Sequence, residues 1–152
     1  MIRVEVSEAP IDVGAAFAEV EQRGGAGAVA SFTGLVRDDG GVTELMLEHY
    51  PGVTGRALAT LAEDAAARWP LSAVTIIHRV GPMTPGTRIV LVLTASAHRQ
   101  SALDACAFLI DRLKTEAPFW KRESRGGDVR WVDARDSDHH AAARWSASPP
   151  AA

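Results

Sequence analysis

RIVLVLTASAHRQSALDACAFLIDRLKTEA, residues 88–117, is the stretch whose reading decides the fold. Its opening is a nearly unbroken apolar run, Ile89 to Leu93, of strand rather than helix length, and it reads as a strand over Arg88 to Thr94 buried on both faces. The period then changes, and His98 to Ala117 reads as a helix that Pro118 stops. On a helical wheel of Ala102 to Ala117, Leu103, Cys106, Ala107, Ile110 and Leu113 share one broad arc, and Asp104, Asp111, Arg112 and Thr115 mark the opposite side. Lys114 falls inside the apolar arc, which places its amine at the edge of the core or in a cleft.

Outward from that stretch, Ala73 to Val80 reads as a second strand, joined to the first through Gly81, Pro82, Pro85 and Gly86. Leu58, Leu61, Ala62, Ala65 and Trp69 recur at three- and four-residue steps with Arg56, Glu63, Asp64 and Arg68 between them, which predicts an amphipathic helix over Thr54 to Trp69, ended by Pro70. Ala28 to Val36 reads as a strand, Asp38 to Gly41 as a turn, and Val42 to Tyr50 as the antiparallel hairpin partner. A first strand over Arg3 to Val6 precedes a helix capped by Asp12 and stopped by Gly24 and Gly25. Asp128 to Asp133 forms a last strand before a polar tail, disordered from Ala147 to Ala152 by its Ala, Ser and Pro content. The expectation is an α+β fold: a single domain over residues 1–145 with a partly antiparallel mixed sheet and about three helices, then a tail over residues 146–152.

A chain of 152 residues, nearly half of them apolar, suffices for one core. Its net charge of -3 argues against holding nucleic acid through an overall field, so any basic site is local. No stretch approaches the roughly 18 apolar residues that cross a bilayer, and Met1 to Ser7 alternates like a strand rather than a signal peptide. A soluble, cytoplasmic protein is expected. Cys106 is the only cysteine, which excludes an internal disulfide and a multi-cysteine metal site, and its place on the apolar arc reads as a core thiol. Asp136, Asp138, His139 and His140 carry ligand atoms without a second fixed pair at metal-site spacing, so no metal is assigned. Glu48 and His49 would point to opposite faces of a strand, and the phosphate-loop pattern of a phosphoryl-transfer enzyme is absent.

The basic residues carry more information. Fourteen of the sixteen are Arg, and the two lysines, Lys114 and Lys121, lie in one short segment. An amine's pKa moves readily with its surroundings where a guanidinium's does not. The break at Pro118 can turn Lys121 and Arg122 toward the same cleft as Lys114. Two close cations lower each other's pKa and a bound phosphate raises it, so the protonation state stays open. His98 and Arg99 open the long helix, where the first-turn N–H groups and positive dipole end favour an anion. Arg37 ends its strand with a planar fork suited to phosphate, and Gly34 permits close approach of a ligand or another chain.

Four segments, FTGLVR (32–37), LEHYPG (47–52), SAHR (96–99) and LKTEAPFWKRE (113–123), resemble in order the motifs of the large, catalytic subunit of molybdopterin synthase. RWP (68–70) and WVDAR (131–135) extend the resemblance from the first strand to about Trp145. It implies an α/β hammerhead-like fold and a sulfurtransferase that needs no cofactor. The implied substrate is cyclic pyranopterin monophosphate, into which two sulfurs are inserted to make the molybdopterin dithiolene. The implied donor is a small ubiquitin-like sulfur-carrier subunit whose C-terminal Gly-Gly ends in a thiocarboxylate and threads into the pocket. Two copies of each subunit would form a heterotetramer around a homodimer of this chain.

Carried over by motif, Lys114 and Lys121 are catalytic, Lys114 for acid–base assistance and Lys121 for neutralising the phosphate, two roles that can be exchanged. Arg37, His98 and Arg99 bind the phosphate, and Arg122 and Glu123 complete the substrate-contacting segment. Leu35 and Val36 accompany Arg37; at Leu35, where some relatives carry a lysine, the implied contact is through the backbone. Arg135 looks like the arginine that reaches into the neighbouring protomer's site. Phe119 and Trp120 read as core anchors ahead of lining a channel for the tail. The alternative is a non-catalytic module that binds an anion or a ubiquitin-like protein in the same cleft.

Overall fold

The computed structural model describes residues 1–132 and 136–146. The chain runs β1 (Ile2–Ser7), α1 (Val13–Gln22), β2 (Ala28–Leu35), β3 (Glu44–His49), α2 (Val53–Arg68), β4 (Leu71–Arg79), β5 (Gly81–Met83), β6 (Arg88–Ser96), α3 (Arg99–Glu116), β7 (Phe119–Arg125), β8 (Asp128–Val132) and α4 (Asp136–Ala143). One mixed sheet has the order β1-β4-β6-β2, with β1 parallel to β4 and the other pairs antiparallel. A second, antiparallel sheet has the order β5-β3-β7-β8.

The central strands β4 and β6 are covered on both faces, as their continuous apolar runs predict. Alternation sends Val74, Ile76, Val90 and Val92 toward Leu58 of α2 and Phe108 and Leu109 of α3. Ala73, Ile77, Leu91 and Leu93 face Ala16 and Val20 of α1 instead. That helix starts where Asp12 accepts a 3.0 Å hydrogen bond from the Ala15 N–H. The second sheet packs Leu45, Leu47 and Met83 against Val36 and Val80 in a smaller core.

Several expectations are corrected. β3 is not the hairpin partner of β2: Ser31 stands opposite Leu93 of β6, and Leu47 stands between Gly81 and Lys121 in the other sheet. Alternation states that a strand has a buried face and leaves its neighbour unspecified. β7 is absent from the sequence reading because its inner face lines a polar cleft, which removes the apolar–polar alternation that marks a strand. The α+β fold class holds, with α1, α2 and α3 as its main helices, and among the described residues α4 adds a fourth where a polar tail was expected. Trp145 then packs its ring 5.8 Å from Trp69 and 5.6 Å from Phe108, and its Nε1–H donates to Asp111 at 2.8 Å. Residues 147–152 lie outside the described residues.

The wheel of α3 is also displaced. Its buried residues are Ala102, Ala105, Cys106, Phe108, Leu109 and Leu113, whereas Leu103 is 56% exposed. A helix that packs on a sheet and on α2 together has a wide apolar surface, and composition does not say which edge is left uncovered.

Two local devices position the site. Gly81 adopts φ +87° where the chain leaves the first sheet for the second, a conformation that costs glycine little. Thr54, fully buried, donates from Oγ1 to the Pro118 carbonyl at 3.1 Å and accepts from the Tyr50 N–H at 3.1 Å. This hydroxyl ties the β3–α2 corner to the α3–β7 corner, and so constrains the segment that carries Lys114 and Lys121. The close approach permitted by Gly34 is to its own neighbour β6: an added Cβ would lie 2.8 Å from Val90 Cγ1. No helix among the described residues is long and apolar enough to cross a membrane.

Candidate functional site

A cleft of about 420 Å³ opens where the C-terminal end of α3, the end of β2 and one face of β7 meet. The period of two in β7 turns Phe119, Lys121, Glu123 and Arg125 toward it. Lys114 and Thr115 come from α3, and Leu35, Val36 and Arg37 from the end of β2. Leu45, Leu47, Val90 and Phe119 supply an apolar floor. Four cations, Arg37, Lys114, Lys121 and Arg125, thus line the cleft with two carboxylates, Asp39 and Glu123. The excess of positive charge over an apolar floor suits an anionic ring compound.

Some of these charges are already paired. Arg125 donates to Glu123 at 3.1 Å and to the Gly40 carbonyl at 3.3 Å. Arg37 lies 3.6 Å from Asp39 with more than half of each side chain exposed, so that pair contributes little and yields readily to a ligand. Lys114 is exposed, which selects the cleft over the core edge for its amine.

Not every expected residue reaches the cleft. Arg122, adjacent to Lys121 on a strand, points to the other face, 3.9 Å from Glu48 with its guanidinium 5.6 Å from the Trp131 ring. Trp120 also faces away, 49% exposed and 4.6 Å from Tyr50, so neither Trp120 nor Arg122 lines the cleft whose floor Phe119 helps to form. His98 and Arg99 are exposed at the opposite end of α3. Sixteen residues separate His98 from Lys114, about 24 Å along a helix rising about 1.5 Å per residue. Arg135 lies outside the described residues.

The sequence reading missed Arg125, Asp39 and His78. Arg125 was detectable, since Lys121, Glu123 and Arg125 are spaced as one face of a strand. His78 continues the Val74, Ile76 face of β4 and is 5% exposed on the cleft wall. Burial, with smaller contributions from Lys114 and His49, lowers its pKa from 6.5 to about 4 against the opposing hydrogen bond to Arg79. The unfolded chain therefore takes up a proton below pH 6.5 that the folded chain refuses. Stability is expected to be unaffected by this group above pH 6.5 and to fall by about 3 kcal/mol as the pH drops to 4. Urea unfolding across that range checks it, and His78→Phe should remove this part of the slope.

Cys106 is 7% exposed and burial pushes its thiol up to about 11, so it is protonated near neutrality, as suits a core thiol. It does not line the cleft. A second, more open depression of about 500 Å³, lined by Val4, Val6, His49, Pro51, Gly52, Gly55 and Ala59, holds no lysine or arginine.

Comparison with known proteins finds relatives of this chain over most of its length. Residues 6–116 match the family described as MoaE protein. A molybdopterin synthase catalytic subunit of Salmonella typhimurium is 51% identical over 146 residues, spanning 94% of this chain and 97% of that one. The structure of a molybdopterin biosynthesis MoaE protein from Burkholderia ambifaria superposes with a TM-score of 0.85 at 44% identity, over 97% of this chain and 100% of that one. A protein–protein complex of subunits 1 and 2 of molybdopterin-converting factor from Helicobacter pylori contains a chain of the same fold, with a TM-score of 0.72 at 18% identity over 88% of this chain and 91% of that one.

Proposed function

Because this chain belongs to the MoaE family of molybdopterin synthase catalytic subunits, which are sulfurtransferases, we propose that its basic cleft is where sulfur is transferred to cyclic pyranopterin monophosphate. The observation that carries this reading is the convergence of Arg37, Lys114 and Lys121 on one cleft from β2, α3 and β7. The cations hold the phosphate and stabilise negative charge as the sulfur of a thiocarboxylate donor adds to the pterin side chain and the cyclic phosphate opens. Water then cleaves the acyl–sulfur bond, leaving the sulfur on the pterin and a carboxylate on the donor. Lys114 gives acid–base assistance and Lys121 neutralises the phosphate. Glu123, hydrogen-bonded to Arg125, keeps that guanidinium oriented along the wall. Leu35 and Val36 border the ligand through the backbone.

Sulfur comes from outside the chain, because its only thiol is buried away from the cleft. A small ubiquitin-like subunit with a thiocarboxylate on its C-terminal Gly-Gly supplies it; the subunit pairing seen in the Helicobacter pylori complex supports such a partner. The cytoplasm is the matching compartment. The competing reading, a non-catalytic binding module, predicts capture of the donor subunit without dithiolene product when purified protein, donor and cyclic substrate are mixed.

His98 and Arg99 join this site only across a dimer. About 24 Å along α3 separates them from Lys114 in one copy, and both stand exposed at a helix N-terminus fit for an anion. A homodimer that sets this helix end against the partner's cleft completes the phosphate site, and Arg135 is assigned to the same contact. Mixing inactive Lys114→Ala with inactive Arg99→Ala is expected to restore about a quarter of wild-type product formation, because half of randomly reassociated dimers regain one intact site. No recovery after verified subunit exchange excludes the shared site.

A further inference from the structure

His78 has no part in the chemistry above, yet it stands in the wall of the same cleft. β4 sends it toward α3, β7 packs Phe119 against it with ring centroids 4.0 Å apart at 28°, and β3 contributes His49 nearby. The ring is anchored through Nδ1, which lies 2.9 Å from the Arg79 carbonyl oxygen. A carbonyl only accepts, so Nδ1 carries the hydrogen, and a neutral ring then keeps a bare lone pair on Nε2. No hydrogen bond from a described residue occupies Nε2, and that nitrogen is not among the sealed, partnerless polar atoms of the interior. It is therefore not sealed in the interior, and the cleft is the cavity that His78 lines. Around it the cleft offers mainly donors, from Lys114, Lys121, Arg37 and Arg125.

We propose that His78 is a ligand-contacting residue of this cleft, whose Nε2 accepts a hydrogen bond from a neutral N–H or O–H of the bound pterin while the surrounding cations hold its phosphate. The inference rests on the reading of the cleft as the pterin phosphate site. It assigns the cleft two kinds of recognition, charge for the phosphate and one fixed acceptor for the heterocycle. Burial and the neighbouring Lys114 and His49 hold the ring neutral across the physiological range, so the acceptor persists there.

The test uses the complete complex with a thiocarboxylated donor subunit, comparing wild type, His78→Phe, His78→Gln and Lys114→Ala. His78→Phe keeps the ring stacked on Phe119 and removes the acceptor. It is expected to raise KM for the cyclic substrate about tenfold with little change in kcat. His78→Gln restores an acceptor and is expected to recover KM to within about threefold of wild type. An unchanged KM in His78→Phe, or an equal loss in both variants, overturns the proposal. In wild-type protein, the ¹⁵N resonance of His78 Nε2 should move upfield when the cyclic substrate is added, and a static resonance also overturns it. Should Lys114→Ala fail while His78→Phe behaves as wild type, only the His78 assignment falls. Full activity in Lys114→Ala, with substrate binding insensitive to every cleft variant, removes the parent reading instead.

Discussion

Lys114→Ala is expected to lower dithiolene formation by about 100-fold or more, and Lys121→Ala by a comparable factor, with the fold intact in both. Lys114 is exposed in the last turn of α3, and Lys121 lines the cleft on β7, so neither truncation opens a hole in the core. A rate loss is then a statement about chemistry. Arg37 and Arg125 remain to attract the phosphate, so Lys114→Ala should act chiefly on kcat, whereas Lys121→Ala should raise KM as well. Arginine substitutions separate the two roles. A guanidinium keeps the charge but does not release a proton near neutrality, so Lys114→Arg should stay slow and Lys121→Arg should recover part of the activity. The reverse pattern exchanges the roles, and undiminished turnover in both alanine variants removes them.

Phe108→Ala is expected to destabilise the protein by about 3–5 kcal/mol, read as a fall in the urea midpoint. Phe108 is fully buried, with the rings of Trp69 at 5.2 Å and Trp145 at 5.6 Å meeting it edge-on. The guanidinium carbons of Arg68 and Arg112 lie 4.9 Å and 5.0 Å from its ring centre. One truncation therefore leaves a cavity between α2 and α3 and also removes the ring against which Trp145 packs. Against a total stability of about 5–15 kcal/mol for a domain of ordinary stability, that is a large share. Phe108→Leu, which fills most of the space, should cost much less. Since Phe108 does not line the cleft, the folded fraction should keep its turnover number, and a lost turnover number would show that the segment after β8 shapes the site.

Much of the fold was legible in the residues. The double-sided burial of β6, the stop of α3 before Pro118 and the Asp12 cap each follow from local pattern and need no knowledge of neighbours. The strand pairing was not legible, because the alternation of Ala28 to Leu35 fits any sheet edge with an apolar face, and β6 rather than β3 occupies that place. β7 escaped notice for the reason that makes it useful: its inward side chains are Lys121, Glu123 and Arg125, which a polar cleft accommodates and a strand pattern does not predict. Arg122 shows the converse. It sits within the most recognisable motif of the chain and still faces away, because adjacent residues of a strand cannot share a face.

By itself, the amino-acid order determined which groups are available: two amines in one segment, a strand-end arginine, a His-Arg pair opening a helix, and a single thiol placed among apolar residues. Only the tertiary structure decided which of them meet. It joined Lys114 and Lys121 with Arg37 and added Arg125 and His78, while setting His98 and Arg99 at the far end of α3. The physical reason is that helix and strand periods act over a few residues and fix the direction of a side chain relative to its own element. Whether two such directions converge depends on how the elements pack, and that is set by the burial of Phe108, Leu109, Val74 and Val92, residues that touch no ligand.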